Sequence, residues 1–174
     1  QARRDEFAKL LWSRGERDGV QRYSAGVRMM HRNYFGPMMV LSGEADAMIS
    51  GYSRSFPKVL LPVLETVGRG PGIKRAATMN IMMTPRGPLF LADTAINVNP
   101  TAEELAEIAV MTAREVRSFG YEPVMAMLSY SNYGSSSKPE ARKVKNAVKI
   151  LHRDYPDLIV DGEIQADFAL NPEM

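Results

Sequence analysis

The chain has 174 residues, 45% hydrophobic and 24% charged, a globular composition that excludes the polar, low-complexity profile of a disordered protein. Its 22 basic and 20 acidic side chains leave a formal charge of +2, too small to act as a strong field on nucleic acid, so no nucleic-acid partner is expected. The absence of cysteine excludes disulfides, thiolate metal sites and thiol nucleophiles, and fits a reducing compartment. No apolar run approaches the roughly 18 to 20 residues of a membrane span, and the opening QARRDEFAKLLW lacks a signal peptide's apolar centre. A cytoplasmic protein with no membrane partner is the expectation. The start at a glutamine inside a helical pattern suggests a piece of a longer polypeptide.

Phe7, Leu10 and Leu11, then Val20, Tyr23, Val27 and Met30, recur at helical spacing and predict two amphipathic helices within residues 1–36. The arginines here are interleaved with Asp5, Glu6, Glu16 and Asp18, which reads as a solvated face. The apolar run Pro37 to Leu41, bounded by Gly36 and Gly43, predicts a buried strand, with Ala47 to Ser50 as a second short one. Ser55 is placed to cap a helix over Pro57 to Val67, with Leu60, Leu64 and Val67 on one face and a kink at Pro62. Ala76 to Thr84 and Leu89 to Asn97, separated by Pro85, Arg86, Gly87 and Pro88, predict an antiparallel hairpin.

From there strand and helix alternate. Thr101 and Glu104 form a capping box for a helix that ends at Gly120, and Val124 to Tyr130 is a buried strand. Ser137 and Glu140 repeat the capping-box spacing before a helix whose face is Ala141, Val144, Val148 and Leu151, and which must stop before Pro156. Leu158 to Val160 is the last strand. The grammar predicts an α/β fold over residues 37–170, a mostly parallel sheet with one antiparallel hairpin strand and helices on both faces.

Ligands in such sheets sit beyond the carboxyl ends of strands, which singles out three loops. The first carries Asp93, Thr94, Asn97 and Asn99. The second is Ser129, Ser131, Asn132, Gly134, Ser135, Ser136 and Ser137, followed by Lys138; its hydroxyls and backbone donors can hold a phosphate or carboxylate at a helix start, or it is simply a capped loop. The third carries Asp161, Gly162, Glu163, Gln165 and Asp167, either a Mg²⁺ or proton-transfer cluster of the three acids or a helix cap at Asp161. Asp46 and Asp93 each end an apolar run, where a carboxylate accepts backbone hydrogen bonds or faces a ligand. No Walker or dinucleotide glycine pattern occurs, no metal-ligand spacing links His31 and His152, and methionines such as Met38, Met82 and Met125 read as core filling.

FLADTAINVNPTAEELAEIA, VMAMLSYSNYGSS and VDGEIQADFAL, in this order and spacing, resemble the phosphate acetyltransferase (phosphotransacetylase) family over nearly the whole chain. HRNYFGPMMVLSGEADAMISGYSRSF is similar to the version fused to the carboxyl end of large NADP-dependent malic enzymes. The acetyltransferases usually carry a threonine-rich tract where Tyr52, Ser53, Arg54, Ser55 and Phe56 stand, and Ser-Thr at Ser131 and Asn132.

The resemblance implies the second lobe of a two-lobed fold of the isocitrate/isopropylmalate dehydrogenase type, with an acyl-CoA and phosphate site in the cleft between lobes. The first lobe and a later catalytic segment of the acetyltransferases lie outside the match, so no catalytic residue is carried over. For the fused type the implied role is a regulatory, non-catalytic module that senses acetyl-CoA or a related metabolite and helps assemble a homo-oligomer. NADP, a divalent metal and malate decarboxylation would then belong to another domain. Arg54, Lys138 and the serine loop are the groups offered to an acyl-CoA ligand. An active phosphate acetyltransferase and a purely structural assembly lobe are the alternatives.

Overall fold

The computed structural model describes residues 1–171 and 173 and divides into two compact units, Gln1–Lys74 and the part from Arg75 onward. The first unit is helical throughout: α1 (Ala2–Gly15), a 3₁₀ turn (Glu16–Asp18), α2 (Arg22–Arg28), α3 (Arg32–Leu41) and α4 (Phe56–Thr66). Phe7, Leu11, Ala25, Met29 and Met38 are its buried centre, and the rings of Phe7 and Phe35 lie 5.1 Å apart.

Two expectations fail here. Pro37 to Leu41 is not a strand but the second half of α3, and Ala47 to Ser50 has no regular structure. A short apolar run does not reveal its own period; Phe35 and Met38, one turn apart, pack with Phe7 and Leu11, and that packing selects the helix. In α4 the deepest residues are Pro62 and Thr66, with Leu60, Leu64 and Val67 only partly covered. Pro62 has no N–H to give the carbonyl of Lys58, four residues back. The buried amide of Asn33, on α3, donates to that carbonyl instead at 3.2 Å.

The second unit opens with the expected hairpin, β1 (Met79–Thr84) against β2 (Gly87–Ala92), paired antiparallel from Met79↔Ala92 to Thr84↔Gly87. Helix α5 (Ala102–Ser118) follows, started by the full Thr101/Glu104 capping box. Then come β3 (Val124–Leu128), α6 (Pro139–Asp154), β4 (Ile159–Ile164) and the single turn α7 (Ala166–Ala169). β3 and β4 pair in parallel. Among the described residues the four strands form two separate pairs rather than one mostly parallel sheet.

The centre of this unit is Ala106, Ala109 and Val110 of α5 against Leu151 of α6 and Val160 of β4. Small residues on α5 let the helices approach closely, and the predicted face of α6, Ala141, Val144, Val148 and Leu151, is buried. The alternate residues of β3 and β4 point away from that core, leaving Val124 77% and Ile159 58% exposed, so the expected second helical layer is not found over this pair among the described residues.

Ser137 does not cap α6. Pro139 takes the first helical position, where its missing N–H costs nothing, so the cap falls on Lys138, which makes no side-chain capping bond. Thr101→Ala is therefore expected to lower stability by about 1 kcal/mol, as lost caps typically do, and Ser137→Ala to change it by less than about 0.5 kcal/mol. Urea denaturation of the two variants checks this; equal losses would contradict the assigned caps.

Candidate functional site

The turn after β2 is organised by one carboxylate. Oδ1 of Asp93 accepts from the backbone N–H and hydroxyl of Thr78 at 2.8 and 2.5 Å, and Oδ2 accepts from the backbone and side-chain nitrogens of Asn97, both at 2.6 Å. Burial works against the charge on Asp93, but the donors of Thr78 and Asn97 outweigh it and hold the carboxyl well below the usual carboxylate range. Arg75 donates to Oδ1 of Asn97 at 2.8 Å and pairs with Glu104, the residue that closes the capping box of α5. Thr94 is exposed and bonds Thr78 and Asn80. Both oxygens of Asp93 are engaged by the chain itself, as the backbone-accepting reading of this carboxylate expects.

The serine loop is tied to β4, and the residue that accepts its N–H groups is Glu163. The β3/β4 register slips between Met127↔Gly162 and Leu128↔Ile164, which leaves Glu163 as an extra, unpaired residue of a bulge. Gly162 makes this possible: its φ is +139°, and a Cβ there would lie 2.5 Å from the carbonyl oxygen of Met127. The bulge turns Glu163, 1% exposed, toward the loop. Its carbonyl accepts from Tyr133 N–H at 2.9 Å and its Oε1 from Gly134 N–H. Asn132 and Gln165 exchange two further bonds, each 2.7 Å. Ser129 N–H extends the ladder to Ile164 at 2.9 Å.

The other predicted residues fall around this clasp. Ser131 is buried, with its hydroxyl 3.4 Å from that of Ser129. The hydroxyl of Ser135 accepts from Asn132 N–H, and that of Ser136 meets the Tyr130 phenol at 2.9 Å. Lys138 is exposed. Asp161 lies inside β4, so it does not cap a helix; it accepts from Gly162 N–H and from the Tyr133 phenol. Asp161, Glu163 and Asp167 do not converge, and no group of three or more His, Asp or Glu placed to hold a metal occurs among the described residues.

Serine loop and Asp161 thus form one cluster and the Asp93 turn another; Lys143 on α6 reaches the latter by a 2.7 Å bond to Asn99. Arg54 belongs to the first unit, where it lines a hollow with His31, Arg32, Asn33, Tyr34, Lys58 and Pro62. In the sequence nothing separates Glu163 from its acidic neighbours; only the bulge does. Its Oε2 is buried with no hydrogen-bond partner among the described residues.

The family model described as phosphate acetyl/butaryl transferase matches residues 1–174. The chain belongs to this family. It is 44% identical over 165 residues to an NADP-dependent malic enzyme of Escherichia coli, covering 95% of this chain and 21% of that protein. It is 38% identical over 146 residues to a phosphate acetyltransferase of Bacillus subtilis, covering 84% of the chain and 45% of the relative. A phosphotransacetylase crystal structure from Streptococcus pyogenes superposes with a TM-score of 0.83 at 36% identity, over 99% of this chain and 52% of that one. The chain spans about a fifth of this malic enzyme and about half of the solved phosphotransacetylase.

Two expected outcomes follow from this geometry. The folded state favours ionised Asp93, so the stability it confers is complete above the ordinary carboxylate range and is lost as pH falls below about 4 toward the depressed value. Asp93→Asn, which turns an amide toward the donors of Asn97, is expected to cost about 2 kcal/mol near neutral pH and progressively less in acid. Denaturant titrations at about pH 7 and about pH 3 measure the difference, and an undiminished gap in acid contradicts the assignment. Glu163→Ala should speed amide exchange at Gly134, whose N–H the side chain accepts, more than at Tyr133, whose N–H goes to the Glu163 backbone carbonyl, while Glu163→Gln, which keeps an acceptor, restores protection at Gly134; hydrogen exchange resolved by residue reads both.

Proposed function

We propose that this chain is a regulatory, non-catalytic phosphotransacetylase-like module of an NADP-dependent malic enzyme, which senses acetyl-CoA or a related metabolite and contributes to oligomer assembly. The observation that carries the reading is the closed state of the serine loop. Acyl transfer to phosphate asks a loop to present donors or a base to the reacting centre. Here the N–H groups of Tyr133 and Gly134 go to Glu163, and Asn132 is held by Gln165. The GYSRSF and SNYGSS segments, which depart from the acetyltransferase pattern, and the 44% identity to a malic enzyme point the same way.

In the second unit the ligand role falls to Lys138 and the outer hydroxyls of the serine loop, and in the first unit, taken by itself, to Arg54. Asp93, Thr94, Asn97 and Asp161 support the loops around them. No cofactor is assigned to this chain. NADP and a divalent metal are assigned to the malic-enzyme part, and the site of action to the cytoplasm. The assembly role is supported by the apolar face of β3 and β4, where Val124, Leu128 and Ile159 are exposed. No helix is long and apolar enough to cross a membrane among the described residues.

Catalytic phosphate acetyltransfer is the second reading, favoured by the 38% identity to the Bacillus subtilis enzyme. In a polypeptide joining this module to a malic-enzyme domain, acetyl-CoA is expected to change the rate of malate decarboxylation, and sedimentation should show an oligomer. A rate indifferent to acetyl-CoA removes the regulatory role. Turnover of acetyl-CoA and phosphate to acetyl phosphate by the module establishes the second reading instead.

A further inference from the structure

The hairpin of β1 and β2 has two outer edges, and the protein treats them differently. Pro85 and Arg86 form a two-residue turn, which makes Thr84 and Gly87 a hydrogen-bonded pair. Bonded pairs alternate along an antiparallel ladder, so Met82↔Leu89 and Asn80↔Leu91 carry the bonds between the strands. The backbone groups of the intervening residues point outward, those of Met79, Ile81 and Met83 on the β1 side and those of Pro88, Phe90 and Ala92 on the β2 side.

The β2 edge is interrupted, because Pro88 has no N–H to offer a further strand. Phe90 also anchors this strand, its ring lying 5.8 Å from that of Phe119 and 5.9 Å from that of Tyr121. The β1 edge carries none of the charges, prolines or bulges that usually protect an outer strand. Ile81, Met82 and Met83 are 41%, 51% and 76% exposed. Among the described residues no strand other than β2 pairs with β1, and no backbone bond outside the hairpin engages the N–H of Ile81 or Met83.

This open edge is complementary to itself. In an antiparallel pairing with a two-fold axis at Ile81, Ile81 faces Ile81 of a second copy, and Met79 and Met83 face each other in both directions. Every outward N–H and C=O of these three residues then has a partner, each facing pair exchanging both bonds. A slip of one residue sets outward groups against groups already used in the hairpin, and a slip of two sets Met79 or Met83 against a residue outside β1. Met79, Ile81 and Met83 of both copies share one face as a continuous apolar strip. A two-fold pairing also consumes both open edges at once and closes the assembly at a dimer.

We infer that β1 is the edge through which two copies of this chain join, their hairpins forming one antiparallel sheet in the order β2, β1, β1, β2. This rests on the assembly role proposed above and gives that role a surface distinct from the β3 and β4 face.

The test is sedimentation velocity and residue-resolved hydrogen exchange on the full chain, unaltered and with Ile81→Lys or Ile81→Glu. Like charges facing across the two-fold axis repel, and the central apolar pair is lost, so each variant alone is expected to associate at least about tenfold more weakly. Mixing the two variants sets opposite charges face to face and is expected to recover association beyond that of either alone, which damage to the hairpin would not give. In the unaltered chain the amides of Ile81 and Met83 should gain protection as concentration rises. Those of Asn80 and Met82, bonded within the hairpin, should be protected throughout, and in each variant they report that the hairpin has formed.

A chain that stays monomeric at every concentration overturns the β1 edge and self-assembly together. An oligomer that either Ile81 variant leaves intact, a mixture that fails to recover, or Ile81 and Met83 amides indifferent to concentration in an oligomer overturns the β1 edge alone and passes the assembly role to another surface.

Discussion

The second unit depends on where the chain's backbone donors go when it leaves a strand. At the end of β2 the N–H groups of Thr78 and Asn97 have no ladder to join, and an unpaired donor in a partly buried turn is costly. The carboxylate of Asp93 collects both, together with the Thr78 hydroxyl and the Asn97 amide. The same Asn97 receives Arg75, and Arg75 pairs with Glu104 at the start of α5. One ionised side chain therefore sets the angle at which the hairpin hands over to the helix that supplies the core residues Ala106, Ala109 and Val110. Charge is essential because a neutral amide cannot present acceptors to every one of these donors.

Glu163 solves the matching problem after β3, and its solution bears on chemistry. A loop followed by a helix has the right address for an anion, because its N–H groups converge and the helix dipole favours negative charge. Here Gly134 N–H meets the carboxyl of Glu163 and Tyr133 N–H its backbone carbonyl, both delivered from the neighbouring strand by a bulge. An external phosphate would have to displace them. The second carboxyl oxygen of Glu163 is buried without a hydrogen-bond partner among the described residues, so the clasp binds the loop without being fully satisfied itself. Lys145 lies close by: a Cβ on Gly134 would sit 3.3 Å from its Nζ.

Elements defined by periodicity together with a stop or start signal were legible in the sequence. The hairpin around Pro85 and Arg86, α5 with its Thr101/Glu104 box, and the buried face of α6 follow from local rules. Those that depend on distant packing were not. Residues Pro37 to Leu41 are equally apolar as strand or helix, and Phe7 and Leu11, some thirty positions away, decide between them. The Ser137 spacing was misleading because Pro139 competes for the helix start. The first two candidate loops do follow β2 and β3, whereas Asp161 and Glu163 of the third lie within β4, and the internal hydrogen bonding of these segments could not be read: a bulge at Glu163 is a property of two strands in register, visible in neither alone.

The basic hollow of the first unit follows from the same accounting applied to proline. Pro62 in the middle of α4 leaves the Lys58 carbonyl without its helical donor, and the protein supplies one from a neighbour rather than from water. The donor, Asn33, must be brought close and buried, which fixes α3 against α4 at the level of Lys58. A proline that would weaken an isolated helix thereby becomes the reason two helices meet at a defined place. The chain leading into α4 carries Arg54 to that place, and the start of α3 contributes His31 and Arg32. The gathering of His31, Arg32, Arg54 and Lys58 is thus a consequence of how a missing N–H was replaced, and the buried Asn33 rather than the exposed basic groups holds the two helices there.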